Sequence, residues 1–178
     1  MALTRRALVL GTLAVVSGCT SATADTRTQS GLIPVADRKA APKIGGDLLN
    51  GGTYDLAAQQ GHVVVINFWA SWCAPCRAEA ADLEAVYQAT KPSGVVFLGI
   101  NIRDEKDKAI AFSDGRATYP SLFDPAGKLA LEFSDVPPSA IPSTLVVDRA
   151  GRIASITRRD IRQAELQPLV EQVVSEHG

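Results

Sequence analysis

Two cysteines in the middle of the chain, Cys73 and Cys76, have the spacing of a redox-active pair. A Cys-x-x-Cys pair can alternate between a dithiol and a disulfide, and its reactive species is a thiolate. The residues between the cysteines are Ala74 and Pro75. Proline suits the first turn of a helix, where its missing N–H is not needed. The pattern predicts thiol–disulfide exchange at the start of a helix.

The same pair could instead bind a metal or form a structural disulfide. A zinc site would need two further ligands, and the chain has two distant histidines, His62 and His177. A disulfide across two residues closes a very short loop and restrains little of the unfolded chain. The redox interpretation is therefore favoured, and we expect no metal and no other cofactor.

The pair lies where a buried strand passes into a helix. Residues 62–69 form a β-branched and aromatic run, typical of a strand buried on both faces. Apolar side chains then recur at helical spacing through residue 90. Cys73 would lie at the helix N-terminus, where unpaired N–H groups and the helix dipole stabilise a thiolate. We therefore predict Cys73 as the nucleophile and Cys76, one turn inward and more buried, as the resolving cysteine.

The surrounding pattern predicts an α/β domain built on a mixed sheet. The predicted elements are a hairpin turn at 50–52, strands at 62–69, 95–102, 144–148 and 153–156, and helices at 73–90, 105–117, 125–133 and 166–174. The last helix carries an apolar stripe for packing on the sheet. The alternation of strands and helices favours a central sheet with helices on both faces.

The composition is that of one ordinary globular domain. The chain has 178 residues, of which 46% are hydrophobic and 21% charged, which suits a single domain. Eighteen basic and 19 acidic residues leave a net charge of −1. Such a chain offers no basic surface for a phosphate backbone, so we expect no nucleic-acid partner.

The N-terminus has the features of an export signal. Arg5 and Arg6 precede an apolar run at 7–16 that is too short to cross a bilayer. Small residues then lead to Cys19, and this resembles the lipobox of bacterial lipoproteins. We expect a signal peptide at 1–18 and lipidation of Cys19. A simple small-residue cleavage site beside a cysteine is the alternative, and export could be general or twin-arginine.

The segment after Cys19 is polar and without periodicity. Such a segment cannot bury enough apolar surface to order itself. We therefore expect a flexible tether at 19–41 and a folded domain at 42–178.

Two segments resemble the membrane-tethered TlpA/ResA/CcmG branch of thioredoxin-like proteins. Residues 68–79, Phe-Trp-Ala-Ser-Trp-Cys-Ala-Pro-Cys-Arg-Ala-Glu, are similar to its active-site segment, and residues 141–153 are similar to its cis-proline segment and following hairpin. The likeness spans about residues 42–175. It implies a thioredoxin fold with an N-terminal hairpin and an insert at 103–133.

The resemblance also implies contacts around the cysteine pair. Pro142 would be the cis-proline that faces the cysteines, and the backbone of Ile141 would pair with a substrate strand. Trp72, Ala74 and Pro75 would complete the substrate-contacting surface. Residues 136–142 are longer and stiffer than the family's usual approach to this proline, so substrate preference cannot be taken over from relatives.

Glu79 matches the family's acidic residue three positions after the second cysteine. The resemblance implies that it moves protons to and from the buried thiol of Cys76. Asn67 stands where ordinary thioredoxins keep a buried aspartate, so this duty would fall on Glu79. A solvated glutamate on the helix surface is the alternative.

The resemblance implies a lipid-anchored disulfide reductase on the extracytoplasmic face of a bacterial cell membrane. Its substrates would be exported proteins, including the haem-site cysteines of apocytochrome c. A membrane thiol–electron carrier of the CcdA/DsbD type would return it to the reduced state.

Three rival functions remain. A disulfide-forming oxidase would use the same fold in the opposite direction, although the Ala74-Pro75 dipeptide lacks the histidine of strong oxidants. A tethered copper or haem-protein chaperone would use the thiols as ligands, and His177 is a poor candidate for a further ligand. A peroxiredoxin is disfavoured because Cys73 does not follow the Pro-x-x-x-Thr-x-x-Cys pattern.

Overall fold

The structure is a computed structural model that describes residues 31–134 and 141–176. The expected signal peptide, Cys19, most of the expected tether, residues 135–140 and His177 lie outside the described residues. The strands are β1 (Gly45–Asp47), β2 (Thr53–Asp55), β3 (Val63–Trp69), β4 (Val95–Ile102), β5 (Ser121–Asp124), β6 (Ser143–Val147) and β7 (Ile153–Thr157), and the α-helices are α1 (Ala74–Thr90), α2 (Lys106–Ser113), α3 (Lys128–Glu132) and α4 (Gln163–Ser175).

Five strands form the central sheet in the order β5-β4-β3-β6-β7. β3 pairs in parallel with β4 and antiparallel with β6. All seven residues of β3 are buried, as its unbroken apolar sequence predicts. The pairing of Phe68 with Ser143 sets the start of β6 beside the end of β3, so residues 141–142 lie next to the segment that leads into α1.

Side chains alternate between the two faces of the sheet, and each face has its own apolar core. Val64, Ile66 and Phe68 pack on one side, with Ala130 of α3 and Leu56 beyond the β1–β2 hairpin. Val63 and Val65 pack on the other side with apolar residues of α1 and α4. The structure thus confirms the mixed sheet with helices on both faces.

Three elements differ from the sequence-based expectation. β5 was not predicted, because Ser121–Asp124 has four residues of which only Leu122 and Asp124 are buried, too few to give a periodic signal. It adds a parallel edge strand beside β4. The helix expected at 105–117 ends at Ser113, and the one expected at 125–133 is confined to Lys128–Glu132.

The folded region begins before Pro42, where the sequence placed its start. Leu32 pairs with Ser155 and Ala40 pairs with Arg152, so residues 32–40 lie along β7. The Arg38 side chain is buried between Asp148 and Glu176. The expectation of a flexible tether up to residue 41 is therefore wrong for these residues, because two isolated β-bridges and a buried ion pair hold them. No helix of the described ranges is long and apolar enough to span a membrane.

Candidate active site

Cys73 and Cys76 form a disulfide at the start of α1, with their Cα atoms 5.3 Å apart. Cys73 is the N-cap of the helix, and its Sγ accepts a hydrogen bond of 3.2 Å from the backbone N–H of Cys76. The helix therefore begins with an N–H directed at the sulfur of the predicted nucleophile. An N–H in this position stabilises a thiolate more than a thiol.

The two cysteines are buried to almost the same extent, with 4% and 3% of their surface exposed. Cys76 was expected to be the more buried of the two, and in the disulfide form the difference amounts to one percentage point. The reason is that both sulfurs share one apolar cluster with Trp69, Ala70 and Ala109. Ala109 comes from α2, which the sequence did not place over the pair.

The loop before the pair is held by a carboxylate that the sequence analysis missed. Asp104, just after β4, accepts hydrogen bonds from the backbone N–H and the hydroxyl of Ser71. It also accepts one from Asn101 Nδ2, at 2.9 Å. Next to it, the carbonyl of Arg103 accepts a hydrogen bond from Trp72 Nε1, at 2.9 Å. Residues 71–72 are therefore fixed to the β4–α2 loop from two sides.

The hydrogen-bond donors around Asp104 affect its pKa. Burial disfavours its charged form, but the hydrogen bonds from Asn101 and Ser71 outweigh burial and hold the pKa of Asp104 below its usual value. Asp104 lies 33 residues from Ser71 in the sequence, so no local pattern could predict their contact. The pairing of β3 with β4 brings the two residues together.

The peptide bond between Ile141 and Pro142 is cis, as the family resemblance implies. The Ile141 side chain packs against the cluster that contains both cysteines. The structure therefore brings this segment to the disulfide, next to the start of β6. The rest of its approach, residues 135–140, lies outside the described residues.

Glu79 lies one helical turn beyond Cys76 and has no exposed surface. Its carboxylate accepts hydrogen bonds from Asn67 Nδ2 at 2.8 Å and from the backbone N–H of Ile161 at 3.0 Å. Burial raises the pKa of Glu79 to about 7, although these two hydrogen bonds lower it. The alternative of a solvated surface glutamate is wrong. Residues three apart share a helix face, so Glu79 and Cys76 point to the same side of α1.

The residues expected to contact a substrate surround the disulfide. Trp72 is 57% exposed, and Ala74 and Pro75 are also exposed. Trp72 precedes Cys73 directly, and Ile141 packs against the cluster that contains both cysteines. Substrate contact by these residues remains a prediction.

A small cavity of about 40 Å³ lies behind the disulfide and is lined by Cys76, Asn67, Trp69 and Phe112, among others. This volume admits a water molecule, and Asn67 is one of the few polar groups in a mostly apolar lining. Cys76 and the amide partner of Glu79 therefore face the same space. In the described residues no group of three or more histidine, cysteine or acidic side chains is placed to hold a metal.

β3 is followed by a disulfide in the first turn of α1, and a cis-proline precedes β6. This topology defines a thioredoxin-fold protein of the thiol–disulfide oxidoreductase class. The chain belongs to the AhpC/TSA family, whose model matches residues 38–156.

Similar proteins agree with this class. The chain is 34% identical over 122 residues to the thiol:disulfide interchange protein HelX of Rhodobacter capsulatus, covering 65% of this chain and 65% of HelX. It is 32% identical to the thiol:disulfide interchange protein DsbE of Vibrio cholerae, covering 71% of this chain and 68% of that protein. Against the crystal structure of a secreted thiol-disulfide isomerase from Corynebacterium glutamicum, the identity is 35% and the TM-score 0.78, covering 82% of this chain and 91% of that one.

Proposed function

We propose that this protein is an extracytoplasmic thiol–disulfide oxidoreductase that reduces disulfides in exported proteins. The observation that carries the proposal is the Cys73 sulfur at the N-terminus of α1, which accepts the N–H of Cys76. This geometry supports a Cys73 thiolate in the reduced protein. The similarity to HelX and DsbE supports the same chemistry.

The reaction is a two-step transfer of two electrons. In the reduced protein the Cys73 thiolate attacks one sulfur of the substrate disulfide, which forms a mixed disulfide and releases the other substrate sulfur as a thiolate that takes up a proton. Cys76 then loses its proton and attacks Cys73 Sγ. The second substrate sulfur leaves as a thiolate and is protonated, and Cys73 and Cys76 remain as a disulfide.

Glu79 is suited to accept the proton that Cys76 must lose. It lies on the same helix face, is fully buried, and has a pKa of about 7. A buried carboxyl with a pKa near the working pH can both take and release a proton. Cys76 lines a cavity together with Asn67, whose amide donates to Glu79, and a water bound there would be the relay between them.

Several finer elements of the proposal rest on the N-terminal sequence and on the family resemblance. They are lipidation at Cys19, a position on the outer face of the cell membrane, recharging by a CcdA/DsbD-type carrier, and apocytochrome c as one substrate. Substitution of Cys19 by Ser should release the protein from the membrane fraction. Persistence in that fraction would contradict lipid anchoring.

The direction of electron flow is tested by the reduction potential of the Cys73–Cys76 pair, measured in thiol–disulfide buffers. A reductase requires a value near that of thioredoxin, about −270 mV. A value near that of DsbA, about −120 mV, would instead establish the disulfide-forming oxidase. The Ala74-Pro75 dipeptide lacks the histidine of strong oxidants, and this supports the reductase.

The roles of the two cysteines are tested by a matched pair of variants. Cys73→Ala should abolish insulin reduction, because no nucleophile remains. Cys76→Ala should instead accumulate a mixed disulfide between Cys73 and the substrate. Substantial activity in Cys73→Ala would overturn the proposal. Cu(I) titration of the reduced pair is the check on the chaperone alternative, since tight binding would favour it.

A further inference from the structure

An open groove of about 390 Å³ lies between the segment that leads into α1 and one side of α2. Its lining consists of Ser71, Trp72, Arg77, Lys108, Ala111, Phe112 and Arg116. Trp72 precedes the nucleophilic cysteine, so one end of the groove lies next to the site of exchange. The residues that line it in the described part of the chain carry three cations and no carboxylate.

Both arginines of the groove lie over the ring of Phe112. The guanidinium carbon of Arg77 lies 4.7 Å from the centre of the Phe112 ring, and that of Arg116 lies 5.2 Å from it. These are cation–π distances. Two like charges share one ring, on a chain whose net charge is −1. The positive charges of Arg77 and Arg116 are therefore close enough to repel each other, and a bound anion would relieve that repulsion.

Neither guanidinium is neutralised by a carboxylate within the described ranges. Arg77 donates one hydrogen bond to the Ser71 carbonyl at 3.2 Å, and Arg116 donates one to the Phe112 carbonyl at 2.9 Å. Both side chains are exposed. A guanidinium has several N–H donors in a planar fork that fits a carboxylate, so most donors of each remain available to a ligand. Lys108 differs, because it pairs with Glu105 at 2.6 Å.

We propose that this groove binds an acidic segment of the substrate polypeptide that flanks the disulfide to be reduced. The inference rests on the proposed function and adds the substrate class. Carboxylates of the substrate would pair with Arg77 and Arg116, while an apolar residue packs on the exposed indole of Trp72. The bound segment thereby orients the substrate sulfur toward Cys73.

The test compares substrates rather than total activity. Three peptides carry the same mixed disulfide and differ only in two flanking residues, which are Glu, Gln or Lys. The reduced full-length chain should reduce the Glu peptide with a kcat/KM about tenfold above that of the Gln peptide, which corresponds to about 1.4 kcal/mol. The tenfold ratio assumes that each of the two exposed charge pairs raises kcat/KM a few-fold. The Lys peptide should be slower than the Gln peptide, and added salt should reduce both differences.

The double variant Arg77→Gln/Arg116→Gln should lower the Glu-to-Gln preference below about twofold. The matched control is Lys43→Gln/Lys91→Gln, which removes the same charge far from the groove. Lys91 follows the 17 residues of α1, about 25 Å from Cys73 along the helix. Lys43 lines a cavity together with Gly151. Gly151 is in the turn after β6, at the opposite end of that strand from Pro142. This control should keep the wild-type preference.

The outcomes separate the two levels of the argument. No reduction of any peptide would overturn the proposed function itself. Reduction of all peptides without a charge preference, or a preference that survives Arg77→Gln/Arg116→Gln, would overturn the groove assignment alone. Binding of anionic phospholipid vesicles that the double variant abolishes, without any peptide preference, would assign the groove to a membrane surface and also overturn it.

Discussion

The carboxylate of Glu79 accepts a hydrogen bond of 3.0 Å from the backbone N–H of Ile161, 82 residues further along the chain. The contact joins α1 to the loop before α4 beneath the cysteine pair. It does not compensate for burial, since the pKa of Glu79 still rises to about 7. The protein thus keeps a carboxyl that is poorly stabilised as an anion, which is consistent with the proton-transfer role proposed for it.

The first prediction concerns the pH dependence of stability. The pKa of Glu79 is about 7 in the folded protein against an ordinary value of 4.5, so the folded state holds a proton that the unfolded state has released. The stabilisation is fully present below pH 4.5 and is lost as the pH rises through 7. Glu79→Gln does not titrate. It should match the wild type near pH 4.5 and exceed it by up to about 3 kcal/mol at pH 8.

Urea unfolding of the oxidised proteins at pH 4.5, 6 and 8 measures this difference. Glu171→Gln, an exposed glutamate of α4, is the control and should show no comparable change across these values. A Glu79→Gln variant that is equally destabilised at all three pH values would show that the carboxylate acts only as a hydrogen-bond acceptor.

The second prediction concerns the carboxylate that holds the loop before the cysteines. Asp104 accepts bonds from Ser71, Asn101 and the N–H of Glu105. Its depressed pKa means that its stabilisation is present above the ordinary value of 3.8 and is lost as the pH falls through the folded-state pKa. Asp104→Asn should lower the free energy of unfolding by about 1–3 kcal/mol at pH 7, and the deficit should shrink below pH 4.

Chemical denaturation across this pH range provides the measurement, with Asp107→Asn as control. Asp107 is exposed in the first turn of α2, and its substitution should change stability by only a few tenths of a kcal/mol. An Asp104→Asn variant as stable as the control at pH 7 would mean that the loop is held without this carboxylate.

The third prediction concerns the N-terminal segment along β7. Arg38 bonds to the Ile33 carbonyl at 2.9 Å, to Asp148 at 3.2 Å and to Glu176 at 2.7 Å. Its side chain is 2% exposed, and removing one partner of such a network leaves buried charge without compensation. Arg38→Met should lower the free energy of unfolding by about 2–4 kcal/mol and increase amide exchange at residues 33–41.

Lys43→Met, at an exposed lysine just after this segment, serves as the matched loss of charge and should leave exchange at 33–41 unchanged. If Arg38→Met left the amides of this segment fully protected, the strand pairing alone would account for its order.

Local patterns predicted the elements that carry the site, and long-range contacts supplied what they missed. The cysteine pair, β3 and α1 follow from spacing and apolar periodicity, because those signals reside in consecutive residues. Asp104 was missed because its role exists only once β3 and β4 pair. Arg38 was assigned to a tether because its partner Asp148 lies 110 residues away. An isolated arginine in a polar stretch gives no indication that it will pair with a buried carboxylate.

The fourth prediction concerns the close approach of three strands beside the cluster that holds the cysteines. Gly99 in β4 lies opposite Asn67 in β3 and Ser121 in β5. A Cβ at Gly99 would stand 2.6 Å from Ser121 Oγ and 2.9 Å from Trp69 Nε1. It would also disturb the 3.0 Å hydrogen bond between these two groups. Gly99→Ala should lower the free energy of unfolding by about 1–3 kcal/mol.

A double-mutant cycle separates this clash from a general weakening of the strand. Ser121→Gly removes both the hydroxyl and the Cβ that crowd position 99, and alone it should cost about 1 kcal/mol through the lost bond to Trp69. Since Ser121→Gly relieves part of the clash, the double variant should be more stable than the sum of the single effects by at least about 0.5 kcal/mol. Urea unfolding followed by tryptophan fluorescence measures all four proteins. Simple additivity would show that β4 and β5 move apart to admit the methyl group, and that Trp69 is not fixed by this contact.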